Sequence, residues 1–127
     1  MKENQRLKEE VKVDKMKKIE AIIRPEKLDE VKKALEKEGF PSMNVTEIRG
    51  RGRQKGARLT WRGTEYLMEL VPKTKLDLVV RDEDAKKVVT ILRKSAYTGE
   101  IGDGKIFVLP VEEAIRVRTG EEGEEAL

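Results

Sequence analysis

The 127-residue chain contains no cysteine and no histidine. Without cysteine there is no disulfide framework and no thiol chemistry, and without histidine the commonest general base, triad orienter and zinc ligand is missing. Aromatic residues make up 4% of the sequence, too few for the run of stacking rings that a sheet-based RNA reader displays. No apolar run approaches membrane-spanning length, and the start does not read as a signal peptide. Neither sign of charge dominates: 28 basic and 25 acidic residues leave a formal +3, so local distribution matters more than the total. The expectation is a cytoplasmic protein in which catalysis is disfavoured. Its length suits one domain with a modest core that oligomerisation would help.

What the chain has in excess is charge, at 42% of residues, and one stretch concentrates it. Between Arg49 and Arg62 lie Arg49, Arg51, Arg53, Lys55, Arg58 and Arg62 with no carboxylate, and Gly50, Gly52, Gly56 and the following Gly63 free the backbone. This composition predicts a mobile surface loop that orders when an anion or a partner neutralises it. A loop of that length inside a compact domain is usually functional or disordered. The acidic tail Glu121, Glu122, Glu124 and Glu125 balances it.

Residues 1–15 read as a charged, frayed N-terminal extension to a single domain over 16–127. From Met16 to Arg24, Ile19, Ala21 and Ile23 alternate with polar residues as a strand does, with Ile22 pulling toward burial on both faces. Pro25 suits a helix entry, Leu28, Val31 and Leu35 form one helical stripe, and Gly39 supplies the C-terminal cap. Met43 to Arg49 is a second strand. Past the basic loop, Met68, Leu70, Pro72, Thr74, Leu76, Leu78 and Val80 keep period two, which predicts one long strand whose Pro72 portion lies at an edge. Asp82 is a candidate cap for a second helix with Ala85, Val88, Val89 and Leu92 buried, Ile106 to Leu109 is a fourth strand, and Ala114 to Thr119 could add a short fifth. The order is that of an α+β, ferredoxin-like βαββαβ sandwich with a long flexible loop, about residues 50–68, between strands two and three.

Fold decides little about function, so the sites must. Thr98-Gly99-Glu100-Ile101-Gly102-Asp103-Gly104-Lys105 places three glycines and a lysine between helix two and strand four, where consecutive N–H groups can form an anion nest and Lys105 supplies a point charge. A tight Gly-Asp-Gly turn is the plain alternative, and the Walker A spacing is absent. Arg116 and Arg118 would share one face of a strand and want an anion between them, unless Glu112, Glu113 or the tail carboxylates pair with them. Together with the basic loop and Gln54, these features ask for a polyanion, and a nucleoside triphosphate is the economical candidate.

Thr98 to Val108, with Gly52-Arg53-Gln54-Lys55-Gly56, Arg62-Gly63-Thr64-Glu65-Tyr66 and Arg116-Val117-Arg118-Thr119-Gly120-Glu121, strongly resembles the PII nitrogen-regulatory signal-transduction proteins, ammonium-channel regulators among them. The resemblance runs from Met16 to about the C-terminus and implies a homotrimer with ATP or ADP in the clefts between subunits and one long T-loop per subunit. It implies that Gly102, Asp103, Gly104 and Lys105 cradle phosphates with Arg116 and Arg118 of a neighbouring subunit, that Gly52, Arg53 and Gln54 line the same cleft, and that the Val79 backbone meets the base. Gln54, Lys55, Gly56, Lys73 and Gly102 would receive 2-oxoglutarate, with Mg²⁺ held by Gln54 and by oxygens of ATP and the oxoacid. Arg62 and Tyr66 would meet the partner, an ammonium transporter or a nitrogen-assimilation enzyme such as glutamine synthetase, which would bring a cytoplasmic protein to the inner membrane face.

The sequence also departs from the family. Asn44 stands where the family usually has Thr or Ser, Trp61 replaces a common tyrosine, and Glu100 a frequent lysine; Tyr66 matches a residue that some bacterial relatives modify. The rival readings are a nucleic-acid-binding ferredoxin-like module, which the few aromatics argue against, and a slow ATPase using Asp103 or Glu65.

Overall fold

A computed structural model describes residues 15–52 and 57–127. The expected N-terminal extension lies outside the described residues, apart from Lys15.

Strand β1 (Met16–Ile23) buries Ile19, Ala21 and Ile23 and leaves Lys18, Glu20 and Ile22 half-buried on the other face, as period two requires. After Arg24 the chain turns at Pro25, the first residue of a short 3-10 turn (Pro25–Lys27), and enters helix α1 (Leu28–Lys37). Val31 and Leu35 are fully buried there. The helix stops in a six-residue Schellman arrangement: Gly39, at φ +92, donates to the Glu36 carbonyl at 3.1 Å, and Phe40 donates to Leu35 at 2.9 Å. Phe40 then packs against the core beside Leu35, which fixes the path into β2 (Asn44–Gly50).

The insertion between β2 and the next long strand, expected as a flexible loop over about 50–68, carries a hairpin over its residues 57–68. Strands β3 (Ala57–Trp61) and β4 (Thr64–Met68) pair antiparallel with each other and, among the described residues, with no other strand. Arg62 at φ +50 and Gly63 at φ +76 make the two-residue turn, both with the positive φ of a type I′ hairpin. Arg51 and Glu69, 2.6 Å apart, clamp the base of this ribbon.

Strand β5 (Val71–Arg81) therefore begins three residues later than its alternation suggested, because the chain bends at 69–70 and Met68 belongs to the ribbon. Pro72 is locally at an edge as expected: it faces Arg49 of β2, whereas β1 reaches only to the pair Ile23–Thr74. Helix α2 (Asp82–Ala96) follows with no intervening turn, so the N-cap position falls on Arg81 and Asp82 is the first helical residue, its N–H bonded to the Lys15 carbonyl at 2.8 Å. Asp82 thus helps the helix dipole with Glu83 and Asp84 but is not the cap the sequence suggested. Ala85, Val88, Leu92 and Ala96 are its buried stripe.

Strand β6 (Lys105–Val111) completes a four-stranded antiparallel sheet in the order β2-β5-β1-β6, the ferredoxin-like arrangement. Both helices cover one face, and the core lies between them and the inward residues of β1 and β5. Among the described residues nothing covers the other face. It mixes ion pairs, such as Glu20 with Lys75 at 3.1 Å, with the half-exposed apolar residues Phe107 and Leu109.

The fifth strand expected over Ala114 to Thr119 does not form. One bridge, Ile115 to Glu122, is all that pairs, and Arg116 to Thr119 turn back on themselves, with Gly120 at φ +73 donating to the Arg116 carbonyl at 2.8 Å. Alternating Ile115, Val117 and the two arginines follow a small hairpin rather than a sheet edge, and Val117 is wholly exposed. No described helix is long and apolar enough to cross a membrane.

Candidate functional site

At the end of the sheet where β1 stops and β6 starts, the loop 98–104 is tied down by one carboxylate. Asp103 accepts from the Thr98 hydroxyl, the Thr98 N–H at 2.8 Å, the Gly99 N–H at 3.0 Å and Arg24 Nε at 3.0 Å. The Thr98 hydroxyl oxygen in turn accepts from the Glu100 N–H at 3.1 Å. These donors, the Thr98 hydroxyl first, hold the Asp103 carboxyl well below the usual carboxylate range against the partial burial that would raise it. Its side chain is turned inward to build the loop, which leaves the backbone to do any cradling.

Glycine is required at 104 for a steric reason. At φ +102, a Cβ would run into the backbone carbonyl of Ile22, whose residue pairs with Lys105 in the β1–β6 ladder. Behind this point lies an apolar cleft of about 370 Å³ lined by Ile23, Val89, Leu92 and Ile106.

Two cations converge on the same loop. Arg24, just past β1, donates through Nη2 to the Ile101 carbonyl at 2.8 Å, and Lys73, on the part of β5 that overhangs β1, donates to the Gly102 carbonyl. Around Gly102, a Cβ would lie 3.4 Å from Arg24 Nη2 and 3.7 Å from Lys73 Nζ, so both charges border one small space. Burial, and then the neighbouring Arg24 charge, push the Lys73 ammonium below its ordinary pKa, although Glu26 and Asp103 oppose the shift. Two like charges held this close at a backbone carbonyl suit a dianion.

Of the residues picked out from the sequence, Lys73, Gly102, Asp103, Gly104 and Lys105 are brought to this end of the sheet. Gly52 is exposed just beyond β2, and Arg53, Gln54, Lys55 and Gly56 lie outside the described residues. Arg62 and Tyr66 sit on the ribbon, Arg62 in its turn over the Trp61 ring at 5.7 Å and Tyr66 opposite Leu59. Val79 is elsewhere, on the uncovered face opposite Lys18. Arg116 and Arg118 are past the far end of β6, a seven-residue strand spanning about 20 Å. They are in a turn rather than a strand: Arg116 pairs with Glu121 at 3.3 Å, and Arg118 is exposed. Sequence reasoning missed Arg24, and it gave no role to Thr98 although that residue opens the glycine stretch it singled out. An arginine ahead of Pro25 carries no local signal, since its carboxylate partner is 79 residues away.

The sequence model described as nitrogen regulatory protein P-II matches residues 16–121. The chain belongs to the P-II family. It is 58% identical over 112 residues to nitrogen regulatory protein P-II 2 of Methanothermobacter thermautotrophicus, covering 88% of this chain and 97% of the relative. To the P-II protein of Rhizobium meliloti it is 55% identical over 112 residues, 88% of this chain and all of the relative. Among solved structures, Arabidopsis thaliana PII bound to citrate superposes with a TM-score of 0.74 at 42% identity, over 90% of this chain and 94% of that one. As a P-II protein, the chain is a nitrogen-regulatory signal transducer and not an enzyme.

Proposed function

We propose that this P-II protein senses adenine nucleotides, ATP or ADP, together with 2-oxoglutarate, and passes their occupancy to an ammonium transporter through the 50–68 loop. The observation that carries the reading is the convergence of Arg24 and Lys73 on the loop at Gly102. A small dicarboxylate fits two cations beside exposed backbone, and the Arabidopsis relative was solved with citrate, a polycarboxylate. Phosphates fit the positive-φ glycine backbone at Gly102 and Gly104 with Lys105. Among the described residues no group of three or more Asp or Glu side chains could hold a metal ion. In this reading a Mg²⁺ ion would take its oxygens from ATP and the oxoacid, with Gln54.

A homotrimer supports this chemistry. Lys105 stands at one end of β6 and Arg116 beyond the other, so these two do not close on one ligand within one subunit, whereas neighbouring copies can bring opposite ends together. The half-exposed Phe107 and Leu109 on the uncovered sheet face are the surface such a contact would bury. The protein would work in the cytoplasm and reach the inner membrane face through its partner; control of a nitrogen-assimilation enzyme such as glutamine synthetase is the alternative.

Calorimetry tests the sensor. MgATP and 2-oxoglutarate should tighten each other's binding by the same factor, because coupling between two sites is reciprocal. Lys73→Ala should weaken 2-oxoglutarate by about tenfold or more, the loss of a charge-assisted contact, while leaving ATP measurable. Absence of 2-oxoglutarate binding to the unaltered protein would remove the sensor reading. For the output, Arg62 is held at the ribbon tip at φ +50, where it projects beyond the paired strands. Arg62→Ala should abolish capture of the transporter in a pull-down without altering nucleotide affinity, and undiminished capture would assign the contact elsewhere.

A further inference from the structure

The C-terminal residues fold back along a definite path. Gly123 donates to the Ala114 carbonyl and Arg116 to the Glu121 carbonyl, both at 2.9 Å, and Gly123–Ala126 close a 3-10 turn. The Arg116 guanidinium is taken up by this same segment, through Nη1 to Glu121 Oε1 at 3.3 Å and Nη2 to the Leu127 carbonyl at 3.0 Å. Glu124 and Leu127 then wall a cavity of about 250 Å³ whose other side includes Phe40, Val79 and Asp84. One segment thus faces Val79 across this cavity and holds Arg116, the two residues taken as nucleotide contacts.

We infer that Glu121–Leu127 is a strap that closes over the nucleotide half-site of its own subunit and must be displaced before ATP binds. Glu121 stands in for a phosphate on Arg116, and the Leu127 carbonyl holds the second guanidinium nitrogen. Glu124 adds a carboxylate to a cavity lined by Asp84 and Arg81, so the strap brings a further negative charge to the place where a triphosphate would need to enter. The contact is half-exposed, so it is a weak competitor that sets a threshold rather than a block. The inference rests on the reading of Val79 and Arg116 as nucleotide contacts.

Calorimetric titration with MgATP separates the two. Arg116→Ala should weaken ATP; Glu121→Gln, which removes the competing charge and keeps the side-chain shape, should tighten ATP by about two- to fivefold, and the gain should vanish in the double variant. Unchanged or weaker binding in Glu121→Gln, with Arg116→Ala still impaired, overturns the strap and leaves the nucleotide site standing. No ATP binding to the unaltered protein, or an Arg116→Ala variant that binds as well, overturns the parent reading and the strap together. In the unaltered protein, amide exchange at Gly123, bonded to Ala114 in the strap, should accelerate on saturation with MgATP, and unchanged protection would also count against displacement.

Discussion

Gly104→Ala is expected to lose about 2 to 4 kcal/mol of stability, the sum of a left-handed alanine and a forced overlap in a packed region, and to lose ATP binding with it. The overlap is with the Ile22 carbonyl, which is backbone in the sheet and not the free end of a flexible side chain. Relief would require β1 or the start of β6 to move, and both belong to the central ladder. Gly102→Ala is the informative comparison, because its φ of +103 is nearly the same but its Cβ would meet only the ends of Arg24 and Lys73. That variant should lose about 1 kcal/mol from strain alone and be impaired mainly in anion binding, where the added methyl crowds both cations. Thermal melts beside calorimetry distinguish the cases; a Gly104→Ala protein melting like the unaltered one would mean that the loop does not rest on β1 in solution.

Asp103→Asn should release the 98–104 loop and weaken anion binding by about tenfold or more, because an amide nitrogen replacing either carboxylate oxygen confronts an N–H donor. One oxygen faces Arg24 Nε and the Thr98 hydroxyl; the other faces the N–H groups of Thr98 and Gly99. Arg24 would keep its bond to the Ile101 carbonyl but lose its charge partner, leaving it misplaced for a ligand. The same carboxylate sets a pH dependence. Its folded pKa is depressed below the unfolded 3.8, so its stabilising contribution is complete above that value and is lost as pH falls below it toward the depressed pKa. Glu20, held low first by Lys75, acts in the same direction. Acid titration of stability should therefore be steeper in the unaltered protein than in Asp103→Asn below about pH 4. Equal slopes would show that Asp103 is not engaged as described.

The ferredoxin-like plan was readable because burial imposes a period. Ile19, Ala21 and Ile23 at spacing two, and Ala85, Val88 and Leu92 at spacings three and four, can only face a common core as strand and helix. Gly39 as the end of α1 was readable for the same local reason, since the Schellman bonds span six residues. Where local rules ran out, the readings slipped. Met68 and Leu70 continued the alternation of β5 across a bend that no residue type announces, and the β3–β4 ribbon hides an arginine at positive φ in place of the usual asparagine. Arg116 and Arg118 looked like a two-cation strand face, yet Gly120 and the Glu121 carboxylate fold that segment into a turn.

By itself the sequence determined the order of the four sheet strands and two helices, the cationic glycine-rich insertion, the glycine loop before β6 and the family, because each is written in neighbouring residues. Only the tertiary structure decided which charges meet. Arg24, Lys73 and Asp103 are remote in the chain and become one site because β1 stops and β5 and β6 start at the same end of the sheet. Electrostatic contacts act over a few ångströms of space, whereas sequence patterns report only distance along the chain, so no spacing rule could have paired Arg24 with Asp103 or turned that carboxylate inward.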